Sequence, residues 1–149
     1  MSKMKPFLLL VTIILIVYSN SFSQGIKDLG KRSYYEIKAM QKVEPCEITP
    51  GKILTYCVTD GSRVVYLFKD NILNGIMFQT PFLTKSKAEE AMEREVLEFQ
   101  RQIDVKPSYG NGMALFYYPN SPIAVSFGLR DFKGTTFLMY YTWLSELTK

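Results

Sequence analysis

No histidine occurs among the 149 residues, which removes the usual general base and the commonest metal ligand. A serine nucleophile would need lysine or another unusual base, and a cysteine nucleophile would lack an imidazole to make its thiolate. Cysteine is scarce as well. The only two, Cys46 and Cys57, lack C-x-x-C spacing, so a thioredoxin-like redox site is not indicated. Tyr109-Gly110-Asn111-Gly112 has neither a Walker lysine nor a following helix and reads as a flexible connection. Asp70, Asn71 and Asn74 offer too few acids for calcium, and Asp131-Phe132-Lys133-Gly134 reads as a hairpin turn outside any kinase context. Carboxylate-only catalysis through a pair such as Asp60 and Asp131 is formally open, yet both lie in turns, where Asp is expected for local reasons. No catalytic residue, metal ligand or cofactor is assigned.

Long apolar runs are missing after the first two dozen residues. Lys3 and Lys5 precede an apolar stretch over residues 7–17, broken only by Thr12, and Ser21-Phe22-Ser23 forms a small-x-small site before Gln24. A helix needs roughly 20 residues to cross a hydrocarbon core, so this stretch is too short. Residues 1–23 therefore read as a cleaved export signal, which places the mature chain in the periplasm or outside the cell with no stable membrane span. Part of the net charge of +4 leaves with Lys3 and Lys5. A general nucleic-acid-binding role finds no support in what remains. The same export puts Cys46 and Cys57 where disulfides persist, and the sequence leaves a bridge and two unpaired thiols as equal alternatives.

The length after cleavage suits one domain, residues 33–149, behind a flexible arm over residues 24–32. Two helices are marked by Ser-x-x-Glu capping boxes, Ser33 with Glu36 and Ser86 with Glu89. The first runs to about Val43, ahead of Pro45. The second carries Met92, Val96, Phe99 and Ile103 at helical spacing, with Ala91 widening the stripe, and stops before Pro107. Its acids, from Glu89 to Glu98, form a solvated face. Between and after the helices the composition is β-branched and aromatic. Strands are expected over residues 53–59, 63–69, 72–79, 113–118, 123–129 and 135–143. Asp60-Gly61-Ser62, Asp70-Asn71, residues 119–122 and residues 130–134 form the turns, with Asn74-Gly75 an alternative turn or a bulge.

The chain thus reads as an internal repeat, residues 33–82 and 86–143, each a helix followed by three strands. The expected fold is α+β: one antiparallel sheet of six strands with both helices on one face. Strand alternation then separates the faces. Val64, Tyr66, Phe68, Ile76, Phe78, Ile123, Val125, Phe127, Phe137, Met139, Tyr141 and Trp143 are assigned to the helices. Val65, Leu67, Met77, Gln79, Ala124, Ser126, Gly128, Thr136, Leu138, Tyr140 and Thr142 are left on the other side.

A wet sheet face is normally polar, and this one is not. The leading expectation is an exported, non-enzymatic binding module that contacts a protein or an apolar ligand through Val65, Leu67, Met77, Ser126, Leu138 and Tyr140. A structural homo-oligomer packing through the same face is the alternative, and an envelope enzyme using carboxylates alone is third. Cover by the N-terminal arm or by the loop over residues 106–112 would leave the face no such role.

Overall fold

The computed structural model describes residues 26–145, so the expected signal and the last four residues lie outside it. Among the described residues no helix is long and apolar enough to cross a membrane. Helix α1 spans Tyr34–Met40 and helix α2 spans Lys85–Ile103. Strands β1 Glu47–Thr49, β2 Ile53–Cys57, β3 Arg63–Lys69 and β4 Ile72–Phe82 lie between the helices. Strands β5 Ser108–Gly110, β6 Met113–Tyr117, β7 Ile123–Phe132 and β8 Thr135–Leu144 follow α2. All join one eight-stranded antiparallel sheet, ordered β1-β2-β3-β4-β8-β7-β6-β5.

The α+β class holds, with corrections. Each helix is followed by four strands rather than three, because the three-residue β1 and β5 add an edge at either side. Strand β5 replaces the flexible connection expected at Tyr109-Gly110. Asn111 and Gly112, at φ of 51° and 73°, make the two-residue turn that folds it onto β6, as Asn-Gly favours. Asp70 and Asn71 likewise both take positive φ, which makes them the β3–β4 turn. The register shifts between Leu67 and Phe68, opposite Gly75 and Leu73, so Asn74 is the extra residue of a bulge.

Helix α1 begins as expected. Ser33 accepts from the Glu36 N–H and the Glu36 carboxylate accepts from the Ser33 N–H, 2.8 Å away. The Ser33 N–H and hydroxyl hold the Glu36 carboxyl below its usual range. That stabilisation is present above the ordinary carboxylate pKa and is lost as pH falls through the lowered folded value. Helix α2 begins two residues earlier than its capping box suggests. Thr84, in extended backbone, takes the Lys87 N–H on its hydroxyl, and Ser86 falls inside the first turn. Asp104 closes the helix in left-handed conformation with its N–H on the Gln100 carbonyl.

Both helices pack on the same face over two adjoining cores. Tyr34 and Ile37 of α1 meet Leu54, Tyr56, Phe68, Leu73 and Ile76. Val96 and Phe99 of α2 meet Ala114, Phe116, Val125 and Phe127. Residues 26–32, expected as a loose arm, belong to the first core instead. Leu29 is buried there, and the Gly30 N–H to Leu73 carbonyl bond (2.7 Å) and the Leu73 N–H to Arg32 carbonyl bond (2.8 Å) tie the segment to β4.

Cys46 and Cys57 are bridged, with Cα atoms 5.9 Å apart, a kind of bond that oxidising compartments favour. The bridge anchors the segment leading into the edge strand β1 to the end of β2. By chain entropy a loop of this length contributes about 3 kcal/mol. The Cys46→Ala, Cys57→Ala protein should therefore lose about 3 kcal/mol of stability, read as a lower urea midpoint, with a slightly steeper denaturant slope because the released unfolded chain exposes more surface. An unshifted midpoint would show that the edge is held without the bridge.

Candidate functional site

Cross-strand pairing fixes which side chains share a face. On the side away from the helices, Arg63 of β3, Gln79 of β4, Met139 of β8, Gly128 of β7 and Met113 of β6 form one row. The next row is Thr55, Val65, Met77, Tyr141, Ser126 and Leu115. A third is Ile53, Leu67, Gly75, Trp143, Ala124 and Tyr117. Pro81, Phe137 and Arg130 make a short fourth row at one end.

Val65, Leu67, Met77 and Ser126 therefore lie together on this open face, as expected. Leu138 and Tyr140 do not. Leu138 pairs with Thr80 and Leu129, and Tyr140 with Phe78 and Phe127, all on the helix side. Tyr140 stacks on Phe127 at 4.7 Å and lies 6.2 Å from Phe99 of α2, and burial pushes its phenol far above the ordinary range. Thr136 and Thr142 move to the helix side with them. Phe137, Met139, Tyr141 and Trp143, expected under the helices, are on the open face.

The cause is one turn. Lys133 and Gly134 both have positive φ and form a two-residue loop that pairs Phe132 with Thr135, whereas a five-residue turn over residues 130–134 was expected. Changing a hairpin loop by an odd number of residues inverts every side chain of one strand relative to the other. The small residues suit the space they occupy. Thr136 and Thr142 lie on the covered side of a central strand, and the largest side chains of β8 stand where no helix limits them.

The open face is consequently more apolar than expected. Its large side chains, Leu67, Met77, Leu115, Phe137, Met139, Tyr141 and Trp143, are half-buried, packed against each other with their outer surfaces in solvent. Met113 and Tyr117 are 45% and 41% exposed. Large residues lie across small ones. A Cβ added to Gly75 would meet the Tyr141 ring at 2.7 Å, and one added to Gly128 would meet Met113 at 2.9 Å. Tyr141 in turn stacks on Trp143 at 4.7 Å and 16°. Charge is confined to the ends: Arg63 pairs with Glu47 at 3.7 Å, and Arg130 stands exposed beside Phe137. Neither the segment over residues 26–32 nor β5 roofs this face, since the first packs under α1 and the second extends the sheet.

The two carboxylates named as a catalytic pair, Asp60 and Asp131, make local turn contacts. Asp60 accepts the Ser62 N–H at 2.7 Å, and Asp131 accepts the Thr136 hydroxyl at 2.6 Å. Among the described residues no group of acidic or cysteine side chains is placed to hold a metal ion. The chain matches no protein-family model, no curated protein and no solved structure.

Proposed function

We propose that this is an exported, non-enzymatic binding module that seats an apolar surface of another protein on the open face of its sheet. One observation carries it: the rows that no described segment covers, running from Met77 through Met139, Tyr141 and Trp143 to Leu115. Aromatic residues, methionine and arginine, with lysine, aspartate and glutamate depleted, are the composition of interface centres. Six strands at about 4.8 Å spacing and four rows of side chains span on the order of 700 Å², close to the roughly 800 Å² that a standard interface takes from each partner. Arg130 at the margin suits a partner whose apolar patch is bordered by acids. The disulfide and the segment over residues 1–23 both favour export.

A photocrosslinking residue at Met139, compared with one at Leu97 on the outer side of α2, tests this in the envelope of the native host. The expected result is an adduct with a different polypeptide from position 139 alone, lost when Tyr141→Glu is added. An adduct of twice the chain's own mass would make the face a self-association surface instead, and no adduct at position 139 would end the proposal. Trp143 is the chain's single tryptophan, so its emission should shift when a purified partner docks.

A further inference from the structure

On the opposite side of the sheet, a cleft of about 580 Å³ opens between α2 and strands β4 and β8. Small-molecule sites occupy roughly 300–1,000 Å³ and are apolar with a few polar groups at the rim. Phe78 and Phe82 from β4 and Leu138 and Tyr140 from β8 line it. Above them α2 contributes Ala91 and Phe99. Ala91 is buried and small, so the helix leaves space there that a larger side chain would fill.

The rim selects the charge of an occupant. Arg94 pairs with Glu95 at 3.9 Å, and Glu98 pairs with Arg101 outside the cleft at 3.9 Å. Arg63, which stands at the sheet's end and borders both the cleft and the open face, pairs with Glu47 at 3.7 Å. Asp60 is engaged by the Ser62 N–H, and Gln102 donates to Glu98 at 3.2 Å. The rim thus carries both signs, Arg63 and Arg94 beside Asp60, Glu95 and Glu98, and offers no field of one sign to offset the hydration an ionic ligand would forfeit. The floor selects an aromatic body. The Tyr140 ring is stacked between Phe127 and Phe78, at 4.7 Å and 6.1 Å. Two neighbouring strands are about 4.8 Å apart, so the Phe127 and Tyr140 rings, stacked at that spacing, stand on the sheet with their edges toward α2 and the cleft. Ring edges attract the face of another aromatic.

We propose that the cleft beneath α2 binds an uncharged aromatic small molecule, independently of any partner on the open face. The probe is 1-N-phenylnaphthylamine, which is neutral and fluoresces in apolar surroundings, with 8-anilinonaphthalene-1-sulfonate as its anionic counterpart. Binding should be saturable at one probe per chain and at least about tenfold tighter for the neutral probe. Ala91→Phe, or the milder Ala91→Leu, should weaken it about tenfold or more by filling the space, whereas Met139→Glu on the other face should leave it unchanged. Methyl NMR on the unaltered protein gives the same answer without a variant: the Leu138 methyl signals move with the probe and the Met139 methyl signal does not. Non-saturable binding, preference for the anionic probe, or movement of Met139 with Leu138 still would overturn the proposal. The crosslinking result at position 139 bears on the opposite face and leaves this one standing or falling by itself.

Discussion

Leu138→Glu is expected to unfold the protein, while Met139→Glu, one position along the same strand, leaves it folded. Leu138 is 8% exposed and faces the cleft side of the sheet beneath α2. Removing a buried leucine side chain costs about 2–5 kcal/mol, and a carboxylate placed there adds the cost of desolvation or of protonation. Together these approach the 5–15 kcal/mol that holds a typical domain. Met139 is half-buried on the open face, between Gln79 and Gly128, and its carboxylate would reach water. A change within about 1 kcal/mol is expected. Far-UV circular dichroism and urea unfolding of the two proteins give the comparison, and a folded Leu138→Glu protein would mean that β8 is paired in the other register. If the open face docks a partner, Met139→Glu should also weaken that complex by at least about thirtyfold, as substitutions at the centre of an interface do.

Phe99→Ala should be the most damaging single truncation in α2. Its ring is the only aromatic side chain of that helix, and it meets four others edge-on: Phe116 at 4.9 Å, Phe127 at 5.5 Å, Tyr118 at 6.0 Å and Tyr140 at 6.2 Å. Burial of a phenylalanine accounts for about 3–5 kcal/mol of such a loss, and edge-to-face pairs contribute further. Helix α2 reaches β7, β8 and β4 through this stripe, so the loss acts on the centre of the fold. Calorimetry should show the melting temperature lowered by more than about 10 °C for a domain of this size. Phe99→Leu should recover part of it, whereas a fall below about 1 kcal/mol for Phe99→Ala would assign the helix packing to Val96 and Ile103.

Most of the architecture was legible because side-chain periodicity is a direct record of burial. The α2 stripe Met92, Val96, Phe99 and Ile103 packs as its spacing implies, and the alternation in β3, β4 and β7 put Val64, Tyr66, Ile76, Phe78, Val125 and Phe127 on the correct side. Strand β8 defeated the same logic because it is greasy on both faces. Phe137, Met139, Tyr141 and Trp143 outweigh Thr136, Leu138, Tyr140 and Thr142 in hydrophobicity, yet the larger set faces solvent. The decisive signal was the loop. Lys133-Gly134 read as a two-residue turn pairs Ser126 with Tyr141 and Gly128 with Met139, which fixes the register without any appeal to hydrophobicity. Strands β1 and β5 are not legible in the sequence because three residues carry no alternation, although Asn111-Gly112 marks the second. The cap of α2 went to Thr84 because a threonine in extended backbone just ahead of the helix competes with Ser86 for the same role.

The short β1 and β5 have a consequence for polymerisation at the sheet's borders. Open sheets polymerise by adding strands at their borders, where a long row of unpaired amides templates the next chain. Here each border offers a ladder only three residues long, and one is clamped by a covalent bridge. Growth into fibrils is starved of backbone contacts, so any association through the broad greasy surface has to be made by side chains alone.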